Sequence, residues 1–364
     1  MSAIRAIKPS GGEQMLLKTL DSLGACGASA AALVRESGLP NRRVEEWRWS
    51  DLRSAVDSDT PIVSLHDHAH EPAPAVTPSD APIIRELAEA LSLDDSEGLD
   101  TGGLHERDGQ ANRVVAVKSG HTVLIERINA ARGLSAGSLN AMVRGGKLTR
   151  VLIQDGSSDS IVLNRADVVV GPGGAYEQFV LSFGGKLARL ETNVSLWGGG
   201  QLTLNAAYLV SGGRHCDLTS IVTAEGPGRN AEVQGANCNQ VIKGVARAGG
   251  RGVFQGKILV QRAAQKTDAR QHHQALLLED GAEIFAKPEL QIYADDVQCA
   301  HGNAIGALDD DALFYIRSRG VAEIEARAML IEAFLTEAIP ESLSDELCTE
   351  IVDRMNAWLA EKSA

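Results

Sequence analysis

No run of apolar residues in the sequence is long enough to cross a bilayer, and Met1 to Gln14 lacks the apolar core of a signal peptide. The expected compartment is therefore the cytosol. No cluster of Lys and Arg marks a nucleic-acid or anionic-membrane surface, and a formal net charge of −13 opposes both partners. The five cysteines (Cys26, Cys216, Cys238, Cys299 and Cys348) are odd in number, scattered and without a Cys-x-x-Cys pair. That excludes a disulfide framework and suits a reducing compartment. A phosphate-binding loop is missing too: Gly-Lys occurs at 146–147, 185–186 and 256–257, but Leu or Ile follows where a hydroxyl must ligate magnesium. The run Gly171-Pro172-Gly173-Gly174 lacks the strand–turn–helix setting of a dinucleotide fingerprint, and no Gly-x-Ser-x-Gly elbow is found. Aromatics make up only 4% of the chain, so its core must come from Val, Leu, Ile and Ala.

What is present falls into three zones. Residues 1–110 mix helical patches, at 12–23 and 82–93, with a polar linker from Asp57 to Ser79. Residues 111–305 alternate short Val/Leu/Ile runs with glycine corners. Gly pairs recur at 173–174, 184–185, 199–200 and 212–213, at offsets of 11, 15 and 13. Short strands with regular turn signals predict a sandwich, a barrel or a β-solenoid. The glycine corners and scarce aromatics favour the solenoid, with a sandwich as its rival. Residues 306–364 are helical. Asp309 or Asp310 caps a first helix through Arg317. A second, Glu323 to Glu337, carries Ile324, Ile331, Phe334 and Leu335 on one side, and Ser342 or Ser344 caps a third. Leu343, Leu347, Ile351 and Met355 step by four along that last helix. Such amphipathic stripes are buried either on the chain itself or on another protein.

The segment richest in chemistry is Lys287 to Gly302. Alternate side chains of a strand share a face, so Cys299 and His301 project together from Cα atoms about 6.5–7 Å apart. Thiolate and imidazole suit a soft or borderline metal, but a closed site needs four ligands. The pair therefore reads as a half-site, completed across an interface or used transiently; its bland alternative is a structural Cys beside a hydrogen-bonded His. Asp295 and Asp296, adjacent on a strand, point to opposite faces and fit turn duty better than paired catalysis. His66, His68 and His70 alternate in the polar linker and read as solvated. His272-His273 reads as a surface corner.

Several ordered motifs carry a resemblance: Ala275-Leu-Leu-Leu-Glu279, Ala282-Glu283, Lys287-Pro-Glu-Leu290, Tyr293-Ala-Asp-Asp-Val297, Cys299-Ala-His-Gly302 and Phe314-Tyr-Ile-Arg-Ser-Arg-Gly320. With Arg43-Val-Glu-Glu-Trp47-Arg-Trp-Ser-Asp-Leu52 near the start, they resemble the SufB/SufD family, and length favours the SufD side. One departure is Gly302-Asn303-Ala304, where the family carries Gly-Ala-Thr. The resemblance implies a mainly β fold: a right-handed parallel β-helix core (111–305) flanked by an N-terminal helical domain with linker (1–110) and a C-terminal helical domain (306–364). It implies a non-catalytic scaffold in iron–sulfur cluster assembly, paired with a SufB-like paralogue and docking a SufC-like ABC ATPase. His301, with Cys299 beside it, maps onto the family's nascent-cluster site as a shared or transient ligand. Phe314, Tyr315, Arg317 and Arg319 fall where the ATPase docks. No cofactor is expected to stay bound to the chain alone; a transient Fe–S cluster, and a flavin at the level of the complex, are implied for the assembly. The isolated chain can pair with itself or with its paralogue. Two rivals are a general adaptor with structural Cys299 and His301, and a β-helix enzyme acting on polysaccharide, which lacks a grouped set of acids or bases.

Overall fold

The computed structural model describes residues 9–63, 93–99, 103–227 and 235–361. The His66-His68-His70 tract lies outside them, as does the helical patch expected at 82–93 except for Leu93, which begins a strand. From β1 (Leu93–Leu99) to β16 (Gln298–Gly306), odd-numbered strands form one 8-stranded sheet and even-numbered strands another, each in sequence order. Every pairing within these sheets is parallel: β10 (Gln201–Val210) with β12 (Asn237–Ala246), β11 (His215–Gly226) with β13 (Arg251–Val260) and β14 (Asp268–Leu277) with β16 are examples. Each coil therefore contributes one strand to each sheet: a parallel β-helix, as the glycine corners suggested and a sandwich would not give. The first two strands, β1 and β2 (Gly103–Asp108), precede residue 111.

Stacked residues lie 26 or 28 positions apart in the middle coils. Glycine sets the corners. Gly173 and Gly199, at one end of successive coils, have φ of 76° and 76°, a left-handed conformation that a Cβ disfavours. Gly184 and Gly212 mark the opposite end with φ of 72° and 57°. The sequence offset of 11 followed by 15 is thus one full coil read as two corners.

Strands buried on both faces lose simple alternation. Strand β7 (Ser160–Val170) is buried at nearly every position. Its inward row carries Ala166, Val168 and Val170, stacked with Val143, Val194 and Leu196 of neighbouring coils. Outward residues are covered as well. On the odd sheet, Leu134, Ile161, Leu163 and Leu187 receive Leu16, Leu20, Val34 and Leu52 from the N-terminal helices α1 (Gly11–Ser22), α2 (Ala25–Ser37) and α3 (Leu52–Ala55). On the even sheet, Val151, Ile153, Phe179, Leu181 and Leu209 receive Ile331 and Leu335 of α5 (Glu323–Thr336) and Leu347, Ile351, Met355 and Trp358 of α6 (Asp345–Ala360). Each such Leu, Ile or Phe contributes about 1.5–3 kcal/mol by leaving water.

Caps fall where the side chains allow. Ser344 accepts from the Leu347 amide at the start of α6. Asp309 accepts from the Asp311 and Ala312 amides at the start of α4 (Asp310–Ser318). The α6 terminus is tied down by Arg247, which lies 4.2 Å over the Trp358 ring and donates to the carbonyls of Leu359 (2.9 Å) and Glu361 (2.8 Å). The amphipathic stripes therefore cover this chain's own even sheet, with one correction: Ile324, on the Ile331 side by spacing, is 86% exposed.

Candidate functional site

The coil interior is organised in rows running along the solenoid. One row of the even sheet pairs Arg150, Gln178, Leu204, Gln240, Gln271 and finally His301. The row on one side contains Tyr176, Leu202, Cys238, Ala269 and Cys299; the row on the other contains Ala206, Ile242, His273 and Asn303. Cys299, His301 and Asn303 are thus the final members of three interior rows. No coil follows β16, so its outer edge is unpaired in the sheet and His301 is exposed while Cys299 is half-buried against the apolar interior. Spacing alone placed Cys299 and His301 on one face; the register adds that this face is the uncapped end of the coil.

Within the interior most polar groups of these rows are paired. Arg150 is 1% exposed and donates to Glu126 at 2.6 Å, to Asn164 at 2.8 Å and to Gln178 at 3.3 Å. Nearer the open end, Ser220 donates to Gln240 Oε1 at 2.8 Å and Gln271 Nε2 donates to the same oxygen at 3.3 Å. A void lined by Gln178, Thr192, Ser220 and Gln240 measures about 30 Å³, room for about one water.

His272-His273 is corrected by the structure. Both residues lie within β14 (Asp268–Leu277), not at a corner, and strand parity turns His272 outward and His273 fully inward. The His273 ring stacks between Tyr208 (6.0 Å) and Phe254 (5.1 Å). Its Nε2 lies 2.9 Å from Tyr208 Oη and its Nδ1 lies 2.7 Å from Asn303 Oδ1. A neutral ring with Nδ1–H donating to Asn303 and Nε2 accepting from Tyr208 satisfies all three groups. Burial holds the His273 pKa down at about 4, against the opposing pull of Asn303. Asn303, at the family departure, is therefore pinned to the interior two residues from His301. Sequence reading gave no interior role to His273, Asn303 or Gln271; the alternation through Asp268–Leu277 was the signal that could have found His273 and Gln271.

Burial first, then Asp268, raises the Cys299 thiol, opposed by a hydrogen bond from the Ala269 backbone. Ligation by this sulfur must then release a proton to the site. Cys238, two coils deeper in the same row, is pushed up to about 12, chiefly by burial, and is sealed from solvent. Among the described residues, no group of three or more His, Cys, Asp or Glu side chains could hold a metal ion. Cys299 and His301 thus offer two donors. Asp295 and Asp296 occupy the bend before β16, where Asp296 pairs with Lys266 and its amide donates to Gln265 at 2.9 Å.

Phe314 and Tyr315 project from α4 at 74% and 59% exposure. Arg319 lies 4.8 Å over the Tyr315 ring, and Arg317 pairs with Glu323 at 3.3 Å. These four residues lie on a helical segment joined to β16 through 307–309, not at the open end itself.

A separate buried cluster joins the Arg43–Leu52 motif to the odd sheet. Arg189 donates to Asp217 at 2.8 Å, to Glu191 at 3.1 Å and to the Glu46 carbonyl at 2.7 Å, with Trp47 stacked at 4.2 Å. Ser50 donates to Asp217 and lies 3.3 Å from His215 Nε2. Ser50, His215 and Asp217 are not arranged to deliver a nucleophile: Ser50 is fully buried and bonds the carboxylate directly. The cluster clamps the N-terminal segment.

A family model described as SUF system FeS cluster assembly, SufBD core domain, matches residues 104–334. An iron-sulfur cluster assembly SufBD family protein of Synechocystis is 34% identical over 196 residues, 54% of this chain and 42% of that protein. The iron-sulfur cluster assembly protein SufD of Escherichia coli is 44% identical over 110 residues, 30% of this chain and 26% of that one. A SufBD family protein of Mycobacterium bovis is 28% identical over 338 residues, 83% of this chain and 84% of the relative. The matches to the first two span less than two thirds of either relative. With more than half of the chain matched by the family model, and with SufD-like similarity among its relatives, this protein belongs to the SufBD family of iron–sulfur cluster assembly.

Proposed function

We propose that the chain is a non-catalytic scaffold subunit whose open coil end pairs with a SufB-like paralogue, with Cys299 and His301 as part of a site for the nascent cluster. The observation that carries this reading is the position of the two donors at the end of inward rows, on a strand with a free edge. An unpaired strand edge is a template for another chain, and two soft donors beside it are half of a tetrahedral set. The partner supplies the remaining ligands, and the cluster is cargo rather than a resident group. A SufC-like ATPase docks at α4, where Phe314 and Tyr315 are exposed and Arg317 and Arg319 supply charge. It provides the nucleotide hydrolysis for which this sequence has no loop. Hydrolysis reaches the cluster site only if the docked ATPase contacts two arrangements of the subunits differently. The reading places the assembly in the cytoplasm. Among the described residues no helix is long and apolar enough to cross a membrane.

Co-expression of the chain with candidate partners, followed by purification and mass measurement, tests the assembly. A stable complex with one SufB-like chain and with the ATPase is expected. Recovery of the chain without either partner overturns the scaffold reading. The rival enzyme reading predicts turnover of acidic glycans by the chain alone.

A further inference from the structure

One interior acceptor is left without a partner beside the proposed cluster site. Gln271 is fully buried, yet its Oε1 has no hydrogen-bond partner. A buried amide oxygen in that state is destabilising, because it has given up water without gaining a donor. The orientation of the amide is set from below: Nε2 is engaged by Gln240 Oε1 at 3.3 Å, and that oxygen also accepts from Ser220. Space for the amide comes from Gly256 on the facing strand, where a Cβ would lie 2.2 Å from Gln271 Nε2 and 2.7 Å from its Oε1. Gln271 is also paired in register with His301, and both side chains belong to the same inward row. The next residue along this row, toward the open end, is therefore an imidazole.

We propose that Gln271 is the positioning residue for His301: its Oε1 accepts the N–H of one imidazole nitrogen and leaves the other, unprotonated, facing the open end. The consequence for ligation rests on the scaffold reading above; the hydrogen bond itself does not. A ligating histidine commonly donates its second nitrogen to an oxygen that fixes tautomer and ring orientation, and removing such a partner typically lowers metal affinity about 10–100-fold. Here the partner is a neutral amide, so it selects a tautomer without adding charge. The chain is Ser220 to Gln240, Gln271 to Gln240, then His301 to Gln271. Parallel to it, His273 holds Asn303, so two neighbouring residues of β16 are each fixed from the coil below.

The test uses the full chain labelled with ¹⁵N-histidine, with the His301 ring assigned by its loss in His301→Asn. At pH 8 the wild-type ring is expected in one neutral tautomer, and Gln271→Leu is expected to return it to the tautomer mixture of an unrestrained imidazole. Gly256→Ala, which displaces the amide but keeps Gln271, is expected to do the same and serves if Gln271→Leu does not fold. An unchanged tautomer ratio in the folded variant overturns the proposal, whatever happens to its melting temperature. In the complex, Gln271→Leu should weaken cluster retention about 10-fold. If His301→Ala leaves cluster formation intact while the tautomer still responds to Gln271, the scaffold reading fails and the hydrogen bond stands.

Discussion

Replacing Arg189 by Met removes the guanidinium that holds the N-terminal motif to the odd sheet. Arg189, Glu191 and Asp217 are each at most 2% exposed, and the wild-type pairs lie at 2.8 Å and 3.1 Å. Glu191 retains Arg165, but among the described residues Asp217 keeps the neutral donors Ser50, Thr219 and Gln255. Removing one partner of a buried pair destabilises by about 3–5 kcal/mol, chiefly because the other charge is stranded. The Trp47 stack, worth about 2 kcal/mol when desolvated, is lost with it. Asp217→Leu should cost less, because Arg189 keeps Glu191 at 3.1 Å and the Glu46 carbonyl at 2.7 Å. The double variant should then be less destabilised than the two single losses added together, by about 1–3 kcal/mol, because no unpaired charge remains between them. Urea denaturation followed by tryptophan emission reads all four proteins. Single losses under about 1 kcal/mol, or an additive double variant, would show that this pair is solvated rather than closed and dry.

Other outcomes follow from the same geometry. His273 is neutral when folded and its pKa of about 4 lies below the ordinary histidine value, so the unfolded chain binds more protons as pH falls. The stability it contributes is complete above about pH 6.5 and is lost between there and about pH 4, to the extent of about 3 kcal/mol. Denaturation midpoints across that range should show a smaller acid loss in His273→Gln than in wild type; equal slopes contradict the assignment. Gly244→Ala places a Cβ 2.0 Å from Tyr208 Cζ, and this overpacking should cost about 1–3 kcal/mol in a melt. Phe314→Glu changes an exposed side chain, so stability should stay within about 0.5 kcal/mol while pull-down of the proposed ATPase partner is lost.

Much of the solenoid was legible because its corners demand glycine. The spacing of Gly173, Gly184 and Gly199 already holds one coil, although as offsets of 11 and 15 it looks irregular until two corners per coil are assumed. Helix starts at Asp309 and Ser344 were legible because capping is local chemistry. Cys299 and His301 could be placed on one face by strand parity, but nothing local says which face is inward or that the sheet ends there. Those facts come from the register of strands 30 residues apart, as in the His273–Asn303 bond. His272-His273 shows the same limit: polar neighbours at Gln271 and Gln274 resemble a corner, and burial on one side of a strand reverses that reading. The Arg189 cluster was invisible in sequence because its members come from the N-terminal motif and from strands β9 (Leu187–Trp197) and β11 (His215–Gly226).

In the proposed function the open end of the coil contributes His301 to a site completed by another subunit. Anaerobic cluster reconstitution of the purified complex, read by iron and sulfide content and by visible absorption, tests it directly in wild type and His301→Ala. Intact assembly with cluster content reduced by at least about 10-fold is predicted. Wild-type cluster content in the His301→Ala complex would remove His301 from the cluster site.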